Sequence, residues 1–558
     1  MKNRRYGEVP CGAVFFAACD ANYFKKFAPA FISSINEHSS TNIHIHVINP
    51  DDEVFALACY LNSRASQHVT YTFEDADLSQ YNAEQKRALY ASLRFLVLPF
   101  ILSHADQVMI LDIDCMVMKN FDFPPYPVGY FPREPLPGTV GWEAEGTKCA
   151  AGCVFLDKSA MNIANAISET LGGLELKWFN DQIALNHVMS QVPQEFLKKF
   201  DGDFMDWEFK EGTAIWTGKG PRKYDNETYV AKQHEYHDKI MNATEDKVIL
   251  APRLDIPFKQ FDIVRAQSVN EPIRKHWEKF IRMKTEQGYY KISSPRWMFN
   301  AKIEKYFPNA QFLVPHVEQH NWGGGHRTFF YMQTVHPWLF TVDPLGWAGG
   351  AQYIASFDPE AEYSGETYNQ VKSQLGNGKF AHLQDDKTRW DLIDKDNYII
   401  VPLQLPHDET IKYHSDFSVE HFVKTLCEMA NTNPDMPQFV FKGHPVNLKS
   451  MQPLKDIVEG GYNNVFYTET GNFNELVKNA QAMFVLNGGS GQEAMLHGIP
   501  VACFGRCDYA PAVIQGDIDN PDQAWKDIQN DNWHKRLDLY KRWYHWYIND
   551  VAIDVTKV

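Results

Sequence analysis

The chain has 558 residues, 44% of them hydrophobic and 22% charged, so it is long enough for two or three globular domains. Its formal net charge of −16 argues against a nucleic-acid partner, because no surplus of lysine and arginine can displace phosphate counterions. The nine scattered cysteines indicate reduced thiols in a cytoplasmic protein. No apolar run is typical of a signal peptide, and none of about eighteen residues predicts a transmembrane segment.

Strand and helix patterns alternate through the first part of the chain. Apolar segments typical of strands occur at residues 13–19, 43–48 and 69–72, and helical spacing occurs at residues 23–38 and 83–102. This alternation predicts an α/β domain with a mostly parallel sheet and helices on both faces.

A continuous apolar run at residues 107–118 contains Asp112-Ile113-Asp114. The run predicts a strand that is buried on both faces. Alternate side chains of a strand share a face, so both carboxylates are expected at the carboxyl end of the sheet, where open α/β sheets bind ligands. Paired carboxylates repel unless a cation lies between them, and hard oxygen ligands suit Mn²⁺ or Mg²⁺ together with a substrate diphosphate. Asp112 and Asp114 are therefore the candidate metal ligands.

Several motifs with characteristic spacing lie on these elements. They are the first strand with Ala17, Cys19 and Asp20, then Tyr90-Ala-Ser-Leu-Arg94, Leu111-Asp-Ile-Asp-Cys-Met-Val117, Ala150-Ala-Gly-Cys-Val-Phe-Leu-Asp157, and Asp181-Gln182 within residues 178–186. Together they resemble family-8-type glycosyltransferases, which have the GT-A fold. The resemblance covers about residues 10 to 225.

This resemblance implies a retaining hexosyltransferase that uses a metal-bound nucleoside-diphosphate sugar, typically a UDP-sugar. Asp181, which corresponds to a residue that touches the transferred sugar in that family, is the nearest candidate for a nucleophile. Arg94 is expected to serve donor binding rather than structure. The donor-binding residues that the resemblance implies are Ala17, Cys19, Asp20, Arg94, Asp112 and Gln182.

One position departs from the family pattern. The family closes its metal site with a histidine in a His-x-x-Gly-x-x-Lys motif, whereas Thr217-Gly-Lys-Gly220-Pro-Arg-Lys223 has threonine at the histidine position. Lys223 matches the family lysine. We expect it to contact the donor diphosphate, because an ammonium group stabilises negative charge on a leaving group.

Residues 225–259 are polar and rich in histidine, and they show no long periodic segment. His234 and His237 are therefore predicted to be surface residues rather than metal ligands. We place the boundary between an N-terminal domain, residues 1–256, and a C-terminal domain, residues 257–558, near Pro257.

The C-terminal domain is predicted to contain two lobes and a final helix. The acceptor-side lobe, residues 257–395, combines helical and strand patterns with glycine-rich loops at 322–327 and 343–350, and it ends in a polar linker at 384–395. Strand–helix alternation resumes in the nucleotide-binding lobe, residues 396–515. A helix at 529–548, within residues 516–558, carries aromatic side chains at three- and four-residue steps. This spacing indicates a packing stripe, with peripheral membrane contact as the alternative.

A glycine-rich turn, Asn487-Gly-Gly-Ser-Gly-Gln-Glu493, joins a predicted strand to a predicted helix. Backbone N–H groups and the helix dipole meet at such a turn, which predicts an anion site. Glu493 lies in the first helical turn, where it can accept hydrogen bonds from ribose hydroxyls.

The same lobe carries Gln404-Leu-Pro-His-Asp408, Phe441-Lys-Gly-His-Pro445, Ser490-Gly-Gln-Glu-Ala494 and Gly498-Ile-Pro-Val501. Together these motifs resemble capsular-polysaccharide Kdo transferases and, more distantly, bacterial sialyltransferases, over about residues 395 to 515. The resemblance implies a GT-B-like domain that uses a CMP-sugar without a metal cofactor. It implies Lys442 and His444 as contacts to the CMP phosphate. His444 would also protonate this phosphate if its pKa lies near neutrality. Asp408 is the candidate carboxylate at the sugar, as base or as nucleophile, and the resemblance favours the nucleophile. The further donor contacts are Gln404, Ser490, Gly491 and Glu493.

The sequence thus favours a bifunctional glycosyltransferase that builds a surface polysaccharide or glycan. One domain would use a nucleoside-diphosphate sugar and the other a CMP-activated sugar such as CMP-Kdo, with a glycan or glycolipid as acceptor. The alternative is one active domain fused to a degenerate carbohydrate- or partner-binding module, since Thr217 departs from the family pattern.

Overall fold

The computed structural model describes residues 4–134, 138, 140–141, 144, 148–253, 271–316, 322, 327–377, 388–394, 397–445 and 448–557. The described residues form two compact units. The first contains those within Met1–Asp246, Pro252–Ser268 and Ile292–Ala310, and the second contains those within Lys247–Ala251, Val269–Lys291 and Gln311–Val558. The boundary predicted near Pro257, residues 323–326 of one glycine-rich loop and part of the predicted linker lie outside the described residues. The division at 256/257 and the lobe limits therefore remain predictions.

The strands of the first unit are β1 (Arg4–Gly7), β2 (Ala13–Asp20), β3 (Asn42–Ile48), β4 (Val69–Asp75), β5 (Gln107–Leu111), β6 (Cys115–Val117), β7 (Val128–Pro132), β8 (Cys149–Asp157), β9 (Leu197–Lys199), β10 (Met205–Asp206) and β11 (Ile215–Thr217). Eight of them form one sheet with the order β1-β4-β3-β2-β5-β8-β7-β9, and β10-β11-β6 form a small second sheet. Strands β2 to β5 run parallel, whereas β1 and β8 run antiparallel to β4 and β5.

The helices of the first unit are α1 (Ala21–His38), α2 (Asp52–Arg64), α3 (Ala83–Leu96), α4 (Leu98–Leu102), α5 (Met161–Gly172), α6 (Asn180–Met189), α7 (Arg222–Asp225) and α8 (Glu227–Met241). Helix α3 begins with a capping box between Asn82 and Gln85, which satisfies backbone donors at its start. Buried apolar side chains of α3, α4 and α5 pack on the central strands. Arg94 therefore reaches the sheet from the last turn of α3.

Two local predictions for the first unit were wrong. Residues 107–118 do not form one strand, because β5 ends at Leu111 and β6 belongs to the other sheet. The polar segment after residue 225 contains the fifteen-residue helix α8, which the sequence did not predict. Its buried side chains, Tyr229, Gln233, Tyr236 and Ile240, recur at three- and four-residue steps. Two of them are tyrosines and one is a glutamine, so the apolar period was hidden.

A buried polar ladder runs along β3 and β4. The imidazole of His44 makes hydrogen bonds to Thr70 Oγ1 at 2.8 Å and Thr72 Oγ1 at 3.0 Å, and His46 makes one to Thr72 Oγ1 at 2.9 Å. Both histidines are fully buried. Burial lowers the pKa of His44 to about 3 and holds that of His46 well below its usual range. Both side chains are therefore neutral in the folded protein.

The remaining strands, of which all but β13 lie wholly or mainly in the second unit, are β12 (Lys247–Pro252), β13 (Tyr290–Ser294), β14 (Gln311–Pro315), β15 (Thr328–Gln333), β16 (Leu339–Asp343), β17 (Tyr398–Pro402), β18 (Gln438–Lys442), β19 (Val465–Thr468), β20 (Ala482–Val485), β21 (Val501–Cys503), β22 (Ile514–Gln515) and β23 (Ile553–Asp554). They form two six-stranded sheets, β13-β12-β14-β15-β16-β23 and β19-β18-β17-β20-β21-β22. Every pairing in the second of these sheets is parallel.

The helices of the second unit are α9 (Glu271–Glu286), α10 (Gly365–Lys372), α11 (Glu409–His414), α12 (Val419–Thr432), α13 (Leu448–Val458), α14 (Phe473–Lys478), α15 (Ser490–His497), α16 (Pro521–Asn530) and α17 (Trp533–Trp546). The helix predicted at 529–548 starts later than expected, at Trp533, continues through a π-helical turn at Tyr547–Val551, and follows a separate helix, α16. Tyr540, Trp543 and Tyr544 are buried in the core, as a packing stripe requires. No helix in the described part of the chain is both long and apolar enough to cross a bilayer.

The predicted α/β class is confirmed in both units. The first unit has one large mixed sheet with parallel central strands, as expected for a GT-A domain. The second unit has two sheets, one of them wholly parallel, as expected for a GT-B-like domain with a Rossmann-type lobe.

Candidate active sites

The candidate metal motif of the first unit lies in the turn between β5 and β6. The backbone N–H of Cys115 donates to the carbonyl of Asp112 at 2.9 Å, which closes this turn. Strand β6 pairs with β11 so that Thr217 lies opposite Cys115. Both aspartates are thus held by a turn rather than by one strand, so the alternation argument was wrong, although the residues it selected lie beside the predicted Thr217 motif.

Arg94 connects two predicted site residues. Its Nη1 lies 2.7 Å from Asp112 Oδ1, its Nη2 lies 3.1 Å from Asp181 Oδ2, and its Nε donates to the carbonyl of Ala151 at 3.2 Å. The arginine is only 4% exposed. Burial raises the pKa of Asp181, although Arg94 acts in the opposite direction. The metal motif, the Asp-Gln pair and β8 therefore meet at one guanidinium group.

Lys223 is paired with the second aspartate of the motif. Its Nζ lies 2.5 Å from Asp114 Oδ2, and the Tyr229 hydroxyl donates to the Asp114 carbonyl at 2.6 Å. Burial raises the pKa of Asp114, the ammonium of Lys223 lowers it, and nearby Asp112 raises it further. The lysine predicted to contact a diphosphate thus contacts a protein carboxylate in this structure.

Oxygen donors converge on Gly152. A Cβ at this glycine would lie 2.8 Å from Asp112 Oδ2 and 3.5 Å from Thr217 Oγ1, so the missing side chain leaves space between a carboxylate and a hydroxyl. Two carboxylates and one hydroxyl suit Mg²⁺ or Mn²⁺, which typically take one or two carboxylates and complete their shell with water and substrate phosphate. No cluster of three or more His, Cys, Asp or Glu ligands occurs among the described residues. The donor set fits an ion shared with a substrate.

The remaining donor residues predicted for this unit have mixed surroundings. Ala17 and Cys19 are buried in β2, and Asp20 Oδ1 accepts hydrogen bonds from the backbone of Asn22 and Tyr23 as the N-cap of α1. Gln182 Oε1 is a buried atom with no hydrogen-bond partner among the residues that the structure describes. An unsatisfied acceptor beside Asp181 suits a sugar hydroxyl, since burial without a partner is unfavourable. The donor contacts of these residues remain predictions.

Lys219 was not among the predicted site residues. Its Nζ lies 4.6 Å from the centre of the Trp207 ring. Burial lowers the pKa of Lys219 to about 8, nearby arginines add to this effect, and Asp112 and Asp181 oppose it. The structure therefore supplies a second lysine close to the acidic cluster. Its position between two glycines of the Thr217 motif was the available signal.

Trp178 and Phe179, which precede α6, were given no role by the sequence. Trp178 is 54% exposed, and its ring lies 6.1 Å from that of Phe179. Phe179 has φ +74° and ψ 0°, the left-handed region, and α6 starts there without a side-chain cap. This conformation costs about 1–2 kcal/mol for a residue with a Cβ. Sequence alone gave no signal, because tryptophan and phenylalanine are typical core residues.

In the second unit, the glycine-rich turn before α15 is closely packed. A Cβ on Gly488 would lie 3.1 Å from Gln404 Cδ, and one on Gly491 would lie 2.4 Å from the Tyr509 hydroxyl. That hydroxyl donates to the Gly488 carbonyl at 2.6 Å. Packing therefore requires these glycines. Helix α15 starts at Ser490 without a side-chain cap, and the backbone N–H groups of Gly491 and Gln492 donate to the carbonyls of Gly488 and Gly489 at 3.2 and 3.0 Å.

Gln404 holds the turn in place. Its Nε2 donates to Asn487 Oδ1 at 3.0 Å and Thr410 Oγ1 at 2.9 Å, and its Oε1 accepts from the Asn487 backbone at 3.2 Å. Gln404 was predicted to contact the donor. The structure gives it a positioning role, and the donor contact remains a prediction.

The predicted catalytic pair of the second unit follows two neighbouring strands, with Asp408 six residues after β17 and His444 two residues after β18. Asp408 caps α11, where its Oδ1 accepts from the Thr410 backbone at 2.9 Å and the Thr410 hydroxyl at 2.7 Å. Burial lowers the pKa of His444, Asp408 opposes this effect, and Lys442 adds to it. Lys442 Nζ donates to the Glu469 carbonyl at 2.9 Å. The imidazole is therefore neutral near pH 7, and a bound phosphate would raise its pKa.

Glu493 is the carboxyl group at the end of the glycine-rich turn. Burial raises the pKa of Glu493 to about 7, so both protonation states occur near neutral pH. In either state the side chain can accept a hydrogen bond from a hydroxyl, as predicted for ribose recognition.

Among comparisons with known proteins, one family model matches a segment of the chain. Residues 350–540 match the model of a family described as capsule polysaccharide biosynthesis protein. A search of curated proteins finds no match.

Several solved structures resemble parts of the chain. A β-Kdo 2,7 transferase, KpsC of Thermosulfurimonas dismutans, is 16% identical, with 53% of this chain and 90% of that chain covered and a TM-score of 0.33. The galactosyltransferase LgtC, solved with donor and acceptor sugar analogues, is 13% identical, with coverages of 41% and 96% and a TM-score of 0.32. WbbM, a bifunctional glycosyltransferase, is 14% identical, with coverages of 42% and 51% and a TM-score of 0.29.

The family match agrees with the resemblance to capsular-polysaccharide transferases that the motifs of the C-terminal domain predicted. The assignment of the fold itself comes from the strand orders given above. The family match connects residues 350–540, within the second unit, with capsule polysaccharide biosynthesis.

Proposed function

We propose that the chain is a glycosyltransferase of capsule polysaccharide synthesis with two donor sites. The first unit would transfer a hexose from a nucleoside-diphosphate sugar, and the second would transfer a CMP-activated acidic sugar such as Kdo. The family match over residues 350–540 supports the pathway. The single observation that best supports donor chemistry is the Arg94 guanidinium, which joins Asp112 of the metal motif to Asp181 of the Asp-Gln pair.

In the first unit, cleavage of the sugar–phosphate bond leaves negative charge on the nucleoside diphosphate. Lys223, which pairs with Asp114 of the metal motif, and Lys219 would stabilise that charge. Asp112, Asp114 and Thr217 would hold Mn²⁺ or Mg²⁺, which when bound supplies Lewis-acid stabilisation of the diphosphate. Arg94 fixes the Asp181 carboxylate, and the unsatisfied Gln182 Oε1 accepts a hydroxyl of the transferred sugar.

In the second unit, the leaving group carries a single phosphate, so it needs less charge compensation than a diphosphate. Lys442, His444 and the backbone N–H groups at the start of α15 would bind this phosphate without a metal. His444 would donate a proton to it, and Asp408 would act at the sugar as base or nucleophile. The influence of Asp408 on the pKa of His444 supports a shared site for these two residues.

The second candidate function is one active unit combined with a degenerate binding module. One observation favours it. Both carboxylates of the metal motif already contact protein cations, Asp112 with Arg94 and Asp114 with Lys223. A site that is neutralised internally could bind a sugar without a metal and without transferring it.

Hydrolysis of nucleotide sugars by the full-length chain tests both candidates. We expect UDP-sugar hydrolysis that needs Mn²⁺ and is lost in Asp112→Asn, and CMP-Kdo hydrolysis that survives chelation and is lost in His444→Ala. Each variant serves as the control for the other unit. If only one activity appears and the silent unit binds neither UDP–Mn²⁺ nor CMP by calorimetry, the two-donor proposal is wrong and the binding-module alternative stands.

A further inference from the structure

We infer that Trp178 is the stacking surface for the saccharide acceptor of the first unit. This inference rests on the proposed function, because it assigns the acceptor side of the same site. Trp178 begins the segment that carries the Asp181-Gln182 pair, but no role was assigned to it. The carbohydrate class follows from the chemistry of the side chain, since an exposed indole ring offers a flat apolar face to the C–H face of a sugar and leaves its N–H to donate a hydrogen bond.

The exposure of Trp178 is the first observation that supports this role. More than half of its surface, 54%, is in contact with solvent, although tryptophan is usually highly buried. Among the described residues its ring has one aromatic neighbour, Phe179, at 6.1 Å and 60°. The side chain therefore contributes little to the core. An exposed indole three residues from Asp181 is chemically suited to contact a sugar.

The position of Trp178 is the second observation. It precedes Asp181 by three residues, so their Cα atoms are separated by at most about 11 Å. Asp181 contacts Arg94, and Arg94 contacts Asp112. An acceptor sugar stacked on the indole would thus lie within reach of the donor sugar that these residues bind.

The rigidity of the segment is the third observation. Phe179 adopts φ +74°, a conformation that side-chain-bearing residues rarely hold unless their surroundings impose it. The buried Asn180 donates through its side chain to the Glu175 carbonyl, and its backbone N–H donates to Lys177 O at 3.3 Å. The segment before α6 is therefore fastened to the start of that helix, so the backbone that carries Trp178 is held in a defined conformation before any ligand arrives.

Kinetics of the full-length enzyme test this role. In Trp178→Ala we expect the KM for saccharide acceptors to rise at least tenfold, while the donor KM and the rate of donor hydrolysis to water change less than twofold. Trp178→Phe keeps a ring and should recover most of the acceptor affinity. Phe196→Ala removes another exposed aromatic side chain of the same unit, 46% exposed, and should change neither KM. An unchanged acceptor KM in Trp178→Ala, or an equal loss of donor hydrolysis, would overturn the inference.

A binding measurement separates this inference from the proposed function. The full-length chain would be labelled with 5-fluorotryptophan, the Trp178 signal assigned by its absence in Trp178→Phe, and methyl glycosides of glucose, galactose, mannose, N-acetylglucosamine and rhamnose titrated by ¹⁹F NMR in the presence of UDP and Mn²⁺. We expect at least one glycoside to shift the Trp178 signal saturably. If none does, the acceptor role is wrong even where hydrolysis is found. A shift without any nucleotide-sugar hydrolysis would leave a saccharide site at Trp178 and disprove the transferase proposal.

Discussion

The ammonium nitrogen of Lys223 lies 2.5 Å from a carboxylate oxygen of Asp114. Both side chains are nearly buried, with exposed fractions of 12% and 7%. A divalent ion would compete with Lys223 for the Asp114 carboxylate. A diphosphate donor would compete with Asp114 for the Lys223 ammonium. Binding of metal and donor together should therefore exchange one ion pair for two new contacts.

Metal removal should silence only the first unit. We expect excess EDTA to reduce UDP-sugar hydrolysis by the full chain at least hundredfold and to leave CMP-Kdo hydrolysis within twofold, since the second site relies on Lys442, His444 and backbone N–H groups. Added Mn²⁺ should restore the lost activity. Full UDP-sugar hydrolysis in excess chelator would show that Lys223, Lys219 and Arg94 neutralise the diphosphate without an ion.

The Lys223–Asp114 pair should also contribute to stability. We expect Asp114→Asn to lower the free energy of unfolding by about 2–4 kcal/mol, because it leaves the lysine in a partly buried site without its anion. The double variant Asp114→Asn with Lys223→Met should recover most of this loss but not the UDP-sugar activity. Urea unfolding of the wild type, both single variants and the double variant gives the coupling energy. A coupling near zero would mean that solvent, not Asp114, satisfies Lys223.

Arg94 should behave differently from the prediction made on sequence alone, which assigned it to donor binding. Its guanidinium contacts Asp112, Asp181 and the Ala151 carbonyl. Arg94→Ala leaves the buried Asp181 and the partly exposed Asp112 without their cation and should cost about 3–5 kcal/mol of stability as well as activity. Arg94→Lys keeps one charge but cannot contact two carboxylates at once, so it should fold while losing donor affinity. Thermal unfolding and UDP calorimetry separate the effects, and an unchanged Tm in Arg94→Ala would contradict the structural role.

Acid should destabilise the first unit through the buried histidine ladder. The folded pKa of His44 is about 3 and that of His46 is well below 6.5, so the unfolded chain binds more protons. The contribution of these histidines to the free energy of unfolding is therefore fully present above pH 6.5. It falls as the pH drops, by about 1.4 kcal/mol per pH unit for each histidine. Unfolding by urea between pH 7.5 and 5 measures the slope. His44→Gln should flatten it, whereas His534→Gln, at an exposed position, should not.

Nucleotide binding should distinguish the second site. CMP at a hundredfold excess over its dissociation constant should stabilise the second unit by about 2.7 kcal/mol, and UDP at the same concentration without metal should not. His444→Ala should abolish the CMP effect and CMP-Kdo hydrolysis while sparing the first unit. A Tm shift with UDP and none with CMP would instead indicate a UDP-sugar enzyme.

Much of the fold could be predicted because its signals are local. The apolar strands around β2, β5, β17 and β20 and the parallel α/β class followed from periodicity and alternation. Helix α8 did not, because its buried face is largely polar or aromatic. The division of residues 107–118 between two sheets also could not be foreseen, since the direction of a strand after a turn depends on its tertiary partner, here β11.

The candidate sites were predictable in composition but not in their contacts. Motif spacing selected Arg94, Asp112 and Asp181, and the structure brings these three together. Spacing did not reveal that Lys223 contacts Asp114, that Asp408 caps α11 or that Gln404 holds the glycine-rich turn. Such contacts depend on long-range packing and on hydrogen-bond satisfaction, which a linear pattern does not encode.

Strand β23 completes the first sheet of the second unit by pairing Ile553 and Asp554 with Phe340 and Leu339. During synthesis, β16 therefore emerges from the ribosome long before its outer neighbour, and it remains an open edge while the whole parallel sheet of the other lobe is made. A chain that folds from its N-terminus during synthesis therefore cannot complete this sheet until its last strand has been made. The nascent chain would need a chaperone or a delay in collapse to keep that edge from pairing with other molecules.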